Sequence, residues 1–321
     1  MELNKKLLDA SKKALFDYLG LSEDETLLVL TDEKLQNIGR HLQEAAQGKC
    51  QEVFYLEMKS REINGEEPPI QVTEIMKGVD VVIAPLYRSI THTDARRLAS
   101  RLGVRVATMP NISEDTMIRC LNAKASKIIE TTELIAERMK GVESIRITTK
   151  KGTDVIMPVH GRKIISSTGV LKKIGESGNL PSGEVFLAPV EGETFGKVVF
   201  DGSFAGIGLL KDDIIVNIEK GYAISIEGGE QAGQLEEILK KAGLDAFAVG
   251  EFGIGTNYKA KLSGTILEDE KVFGTIHIAF GNNVTMGGNI RIASHLDGLV
   301  KKPTVYFDDE MIMDKGKLII E

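Results

Sequence analysis

The stretch TLLVLTDEKLQNIGRHLQEAAQGK, from Thr26 to Lys49, sets the grammar of the first half of the chain. Thr26 to Asp32 is a short apolar run that ends in polar residues, the mark of a buried strand. The residues after it are spaced as an amphipathic helix, with Gly48 as its stop signal. The same unit then recurs. Glu52 to Met58 (EVFYLEM) reads as a strand and VTEIMKGV as a short helix. Asp80 to Leu86 (DVVIAPL) is the next strand, THTDARRLASRLG a helix that Thr91 or Thr93 can cap, and Val104 to Pro110 (VRVATMP) a fourth strand. Strands alternating with helices predict a parallel sheet wrapped by helices. Neither GxGxxG nor GxxxxGK[ST] follows any of these strands, so the pattern carries no nucleotide site. Ahead of them, MELNKKLLDASKKALFDYLG places Leu3, Leu7, Ala14, Leu15 and Tyr18 at roughly helical spacing.

Ser113 to Gly141 reads as one long helical stretch joining two halves, and from Val142 the pattern changes. ESIRITTKKGTDVIMPV alternates and turns at KKGTD, and IIVNIEKGYAISIEGG and TVYFDDEMIMDKGKLII are two further hairpins. One helix, Gly229 to Gly243, interrupts the strands. The expected organisation is an α/β domain over residues 1–141 and a β-rich α+β domain, with the metal-binding and catalytic residues, over 142–321.

The chain's 321 residues suffice for two such domains, and 42% hydrophobic with 27% charged residues is the balance of a soluble globular protein. A net charge of -7 argues against nucleic acid as a partner, because phosphate binding needs a basic face, and counts weakly against an anionic membrane surface. Trp is absent and aromatics are 5%, which leaves no stacking platform for single strands. No apolar run reaches the roughly 18–20 residues of a membrane span. The N-terminal stretch lacks the apolar core and cleavage site of a signal peptide. Cys50 and Cys120 stand far apart, unlike a zinc finger, and fit a reducing compartment, so a cytoplasmic protein is expected.

The chemistry-bearing residues gather in the second half. Of five histidines, His277 stands in GTIHIAFGNN and His295 in ASHLDG, where Asp297 follows at the next-but-one position. On a strand, residues i and i+2 face the same way, so His295 and Asp297 can grip one cation. Glu184 (SGEVF), Glu251 (GEFGIGTN), Asp269 and Glu270 (LEDEK) add carboxylates. Carboxylate with imidazole suits zinc, cobalt, manganese or ferrous iron, and several carboxylates beside two histidines also suit a two-metal site. Each signal has a plainer reading: a histidine on an alternating strand as a core or solvated residue, a glutamate before a strand as surface charge, GIGTN as a turn. His41, on an amphipathic helix, reads as surface and His160 as a loop residue. His92 opens a helix after a strand, where ligands of such folds gather, and also reads as a polar residue near a cap.

The runs NLPSGEVFLAPVEGETFGKVVFDGS, EFGIGTN, DEKVFGTIHIAFG and SHLDG, in this order, resemble the aminopeptidase T family of metallopeptidases, and THTDARRLASRLGVRVATMP is similar to that family's N-terminal domain. The resemblance implies a two-metal exopeptidase with zinc, cobalt or manganese, acting on peptides and forming a homodimer. It implies Glu184, Glu251, His277, His295 and Asp297 as metal ligands, with Glu251 as the bridge, and Glu270 as the catalytic base. The family's tyrosine after the HIAFG histidine is missing; Val284 stands about where it falls. The chain also resembles the ring-cleaving dihydroxypyridine dioxygenase. That likeness implies a single ferrous iron on Glu184, His277, His295 and Asp297.

Overall fold

The structure, a computed structural model, describes residues 4–320. Leu3, assigned from the sequence to the first helix, lies outside them. The chain divides into two compact units, 1–125 with 169–182, and 126–168 with 183–321. The boundary drawn at 141 therefore falls inside the second unit. The stretch expected as one helix forms two, Glu114–Leu121 and Ala125–Met139, and the second buries Ile135, Ala136 and Met139 in the second unit's core.

The first unit is the expected parallel sheet with helices. Its strand order is Glu52–Met58, Thr26–Asp32, Val81–Ala84, Arg105–Thr108 and then Ser177–Asn179, all parallel. The last strand, only three residues of polar and glycine character, has no periodicity to announce it. Helix Gln36–Ala46 follows the Thr26 strand as expected, and Thr93 caps helix Asp94–Arg101 by accepting from the Arg96 backbone N–H. His41 corrects the sequence reading: it is 1% exposed. Its Nε2 accepts from the Asn4 backbone N–H at 3.0 Å, and its Nδ1 faces the Asn37 carbonyl at 2.8 Å. It ties the chain's first turn to this helix. Among the described residues, no helix is long and apolar enough to cross a membrane.

The second unit holds two antiparallel sheets. One has eight strands, including the expected hairpins Ser144–Thr148 with Asp154–Pro158 and Ile214–Glu219 with Tyr222–Glu227. The other has seven, in the order Gly208–Leu209, Ser203–Phe204, His295–Lys301, Thr275–Gly281, Val249–Gly255, Glu184–Leu187 and Ile165–Ser167. Both sheets feed one core. Ile145, Ile147 and Val216 come from the first, Phe252, Ile278 and Val300 from the second, and Leu235 and Leu239 from helix Glu230–Ala242. Phe200, Phe204 and Phe280 meet edge-on and stacked, with ring centroids 5.0–6.4 Å apart. Gly298 lies against this cluster, since a Cβ there would stand 2.4 Å from Phe204 and 2.6 Å from Phe200. Only glycine lets the His295 strand sit this close to the aromatic core.

Candidate metal centre

Strand alternation builds the site. On the Thr275 strand, Ile276, Ile278 and Phe280 enter the core, so His277 and Ala279 face the other way. Val185 and Leu187 do the same on their strand and leave Glu184 on His277's side. On the Val249 strand both Val249 and Phe252 are core residues, which strict alternation forbids. The register shifts between Val249 and Glu251, and this irregularity turns Glu251 onto the site face.

Register then sets the neighbours. Ala279 pairs with Glu251 on one side and Asp297 on the other, so two carboxylates flank a methyl group. Gly281 pairs with His295, Gly253 with His277, and Gly255 with Glu184. At each of these three pairs the partner of a functional side chain is a glycine.

The resulting contacts are close. Glu251 Oε1 lies 3.2 Å from His277 Nε2, and its Oε2 lies 3.0 Å from His295 Nε2. His295 Nε2 is also 3.5 Å from Asp297 Oδ1. The Asn282 carbonyl holds His295 Nδ1 at 2.7 Å, which fixes the ring with Nε2 toward the carboxylates. Glu251, His295 and Asp297 each offer a donor atom, all within 4.8 Å of one another. Asp297 Oδ1 and His277 Nδ1 are buried without a hydrogen bond. Glu184 Oε2 reaches to 3.7 Å from His277 Nε2, which joins a further acid to the group.

Glu270, the expected base, does not face this cluster with a free carboxylate. It is paired with the adjacent Lys271, whose Nζ also lies 2.5 Å from Glu184 Oε1. The Lys271 side chain is 1% exposed. Nothing in the periodicity of LEDEKVF singles this lysine out, and the sequence reading missed it. Asp269 is structural: it accepts from the backbone N–H groups of Ser263 and Gly264. His160 and His92 are exposed. Val284, where the peptidase tyrosine was expected, sits in the short turn Val284–Met286.

The electrostatics follow from burial against pairing. Desolvation pushes Glu184 up, opposed by Lys271 and His277. Burial also pushes Glu251 up, but hydrogen bonds from His277 and His295 outweigh it and hold the carboxyl well below its usual range. Glu270 is pushed up to about 8 by burial, with Glu184 and Asp297 adding to it and Lys271 opposing. Burial alone would lower His277, yet Glu251, Glu184 and Asp297 raise it to about 9. His295 is raised in the same way, by Asp297 and Glu251 against desolvation. A buried acid cluster holding protons on its imidazoles is a cluster suited to exchanging them for a cation.

Comparison with known proteins bears on the family and the fold. The family model for NicX, 2,5-dihydroxypyridine 5,6-dioxygenase, matches residues 7–320. A 2,5-dihydroxypyridine 5,6-dioxygenase of Pseudomonas putida KT2440 is 23% identical over 194 residues, covering 56% of this chain and 55% of that relative's length. The solved structure of the 2,5-dihydroxypyridine dioxygenase from Pseudomonas putida KT2440 superposes with a TM-score of 0.83 at 18% identity, over 97% of this chain and 96% of that one. Wild-type AmpT from Thermus thermophilus superposes at 0.72 and 17% identity, over 99% and 100%. The peptidase expectation, with its hydrolase chemistry, is overturned by the family match. The motifs that suggested it lie on strands of the seven-stranded sheet, in a fold that both AmpT and the dioxygenase share, so they do not separate the two reactions. By the match over nearly its whole length, the chain belongs to the NicX, 2,5-dihydroxypyridine 5,6-dioxygenase, family.

Proposed function

We propose that this protein is a dioxygenase that opens the ring of a dihydroxylated N-heteroaromatic compound, the class that includes 2,5-dihydroxypyridine, with one ferrous ion held by Glu251, His295 and Asp297 beside His277. The observation that carries the metal reading is the triad of donor atoms, from two buried carboxylates and a half-buried imidazole, within 4.8 Å of one another. Mixed imidazole and carboxylate donors suit non-haem iron. Asp297 Oδ1 fits the same reading, because this buried carboxylate oxygen makes no hydrogen bond and its near neighbour is the His295 ring nitrogen at 3.5 Å, an arrangement that suits a shared cation. Ferrous iron bound there supplies the redox chemistry that lets dioxygen react with the electron-rich ring.

The chain's own residues prepare the place. Asn282 orients His295 through its carbonyl. Ala279 and Gly253 leave room on the sheet between the acids and around the imidazole. Glu184, Glu251 and Asp297 are each 6% exposed and His277 is fully buried, whereas the His295 side chain keeps 22% of its surface, so the open side lies at His295.

The direct test supplies 2,5-dihydroxypyridine and labelled dioxygen to iron-loaded protein. Loss of the ring absorbance with one dioxygen consumed per ring, and both labelled atoms in the product, is the expected result. Turnover without oxygen, or none by protein that retains iron, would sink the reading.

Proton competition gives a second expectation. His277 must give up the proton that its neighbours stabilise before it can contribute to a metal site, and its pKa stands at about 9 against an ordinary 6.5. Metal affinity should therefore be weak below pH 6.5 and rise toward pH 9, with protons released on binding. Calorimetric titration with Mn(II) in buffers of different ionisation heat measures both; an affinity flat across this range would exclude the imidazoles from the site.

A further inference from the structure

We infer that the Lys271 ammonium is a built-in counter-cation that fills a second cation position in this acid cluster and so limits the centre to one metal ion. The inference rests on the reading above, that a metal binds at Glu251, His295 and Asp297.

The cluster contains four carboxyl groups: the buried acids Glu184, Glu251 and Asp297, and Glu270, whose side chain is 12% exposed. They fall into two groups. Glu251 and Asp297 converge on His295. Glu184 and Glu270 converge on Lys271 Nζ. The groups are adjacent, since the Nε2 atom of His277 lies 3.2 Å from Glu251 and 3.7 Å from Glu184. Two carboxylate groups side by side, joined through one imidazole, are the donor arrangement of a two-cation site. One of the two positions already holds a cation that is part of the chain.

A buried ammonium is expensive unless its charge is met, and here two carboxylates meet it. The backbone holds it in place. The Lys271 N–H donates to the Glu268 carbonyl at 2.9 Å, and the Lys271 carbonyl accepts from Asn257 N–H at 2.8 Å. At Gly255, the strand partner of Glu184, an added Cβ would stand 2.2 Å from the Val272 carbonyl oxygen and 2.7 Å from the Lys271 carbonyl carbon. The segment that presents the lysine is thus packed directly on the strand that presents Glu251. A dication can diffuse away or be exchanged; a side chain anchored in this way cannot.

The experiment counts Mn(II) by elemental analysis after dialysis and reads its electron paramagnetic resonance, in wild type and in Lys271→Met. Wild type is expected to take one ion per chain with the six-line spectrum of an isolated Mn(II). Lys271→Met is expected to take two, with the broadened spectrum of a coupled pair. A folded Lys271→Met that holds one ion, or a wild type that holds two, overturns the inference. So does a Lys271→Met that cannot fold even in excess Mn(II), because a dication must be able to replace the ammonium. Adding Glu270→Gln to Lys271→Met, which removes an acid from the second position, should bring the count back toward one. A wild type that binds no ion would instead remove the metal reading itself.

Discussion

Asp297→Ala is expected to give a folded protein that no longer retains metal, with affinity down by more than about 100-fold. Loss of an outer-shell partner alone costs about 10–100-fold, and a donor lost from the metal itself should cost at least as much. The fold should survive because little of it leans on this carboxylate. Asp297 Oδ1 makes no hydrogen bond, and the strand is held by its backbone ladder to the Thr275 strand and by Val300 in the core. In the metal-free state the substitution also relieves repulsion among buried acids, although it removes a partner of His295. Comparing the melting temperature of metal-free wild type and variant, and their metal content after dialysis, separates the two effects. A variant that keeps its metal takes Asp297 out of the site; one that is unfolded before metal is added makes Asp297 a structural residue.

Gly253→Ala should be nearly as damaging, although Gly253 touches no metal in the proposed centre. Its Cβ would stand 2.1 Å from His277 Nε2 and 2.2 Å from Cε1. The strand backbone tolerates alanine here, because Gly253 is not among the residues of positive φ. The whole effect is therefore the collision. His277 is fully buried and cannot swing into solvent, so its ring must leave Glu251 or the two strands must part. Overpacking of this kind costs about 1–3 kcal/mol. Losing the imidazole's place should weaken metal binding by about 10–100-fold. The double variant Gly253→Ala with His277→Ala should recover most of the stability and none of the affinity. Equal stability losses in the single and double variants would show that the strain lies elsewhere.

The parts of this protein that rest on periodicity are legible in the order of its residues. The parallel unit follows from apolar runs ending in polar residues, as at Thr26 to Asp32, and the hairpins around KKGTD and EKGYAI follow from alternation about a turn. The next-but-one spacing of His295 and Asp297 puts both on one strand face, where the structure has them within 3.5 Å. What stays hidden depends on contacts between distant segments. Lys271 reaches Glu184 across 87 positions, and no local pattern carries that pairing. Gly253 and Gly255 read as turn glycines but lie inside a strand, where they make room for His277 and for the Lys271 segment. His41 sits on an amphipathic helix but is buried because the chain's first turn covers it. The choice between peptide hydrolysis and ring cleavage is beyond the motifs, since a peptidase and a dioxygenase both share this fold.

The order of the seven-stranded sheet also bears on when the protein can acquire its metal. Its ligand-bearing strands lie in the interior of the sheet, flanked by Ser203–Phe204 and Ile165–Ser167. The proposed donors come from positions 251 to 297, and the lysine's partner from position 184. While the chain is being synthesised, the donors His295 and Asp297 come last, and the complete set exists only once their strand has left the ribosome and paired. On the proposed metal reading, loading follows the pairing of this strand, and the ion enters from the His295 side, where the site is most exposed. On that same reading, protein made without metal should accumulate in a folded, metal-free form that added metal alone can load, with no new synthesis.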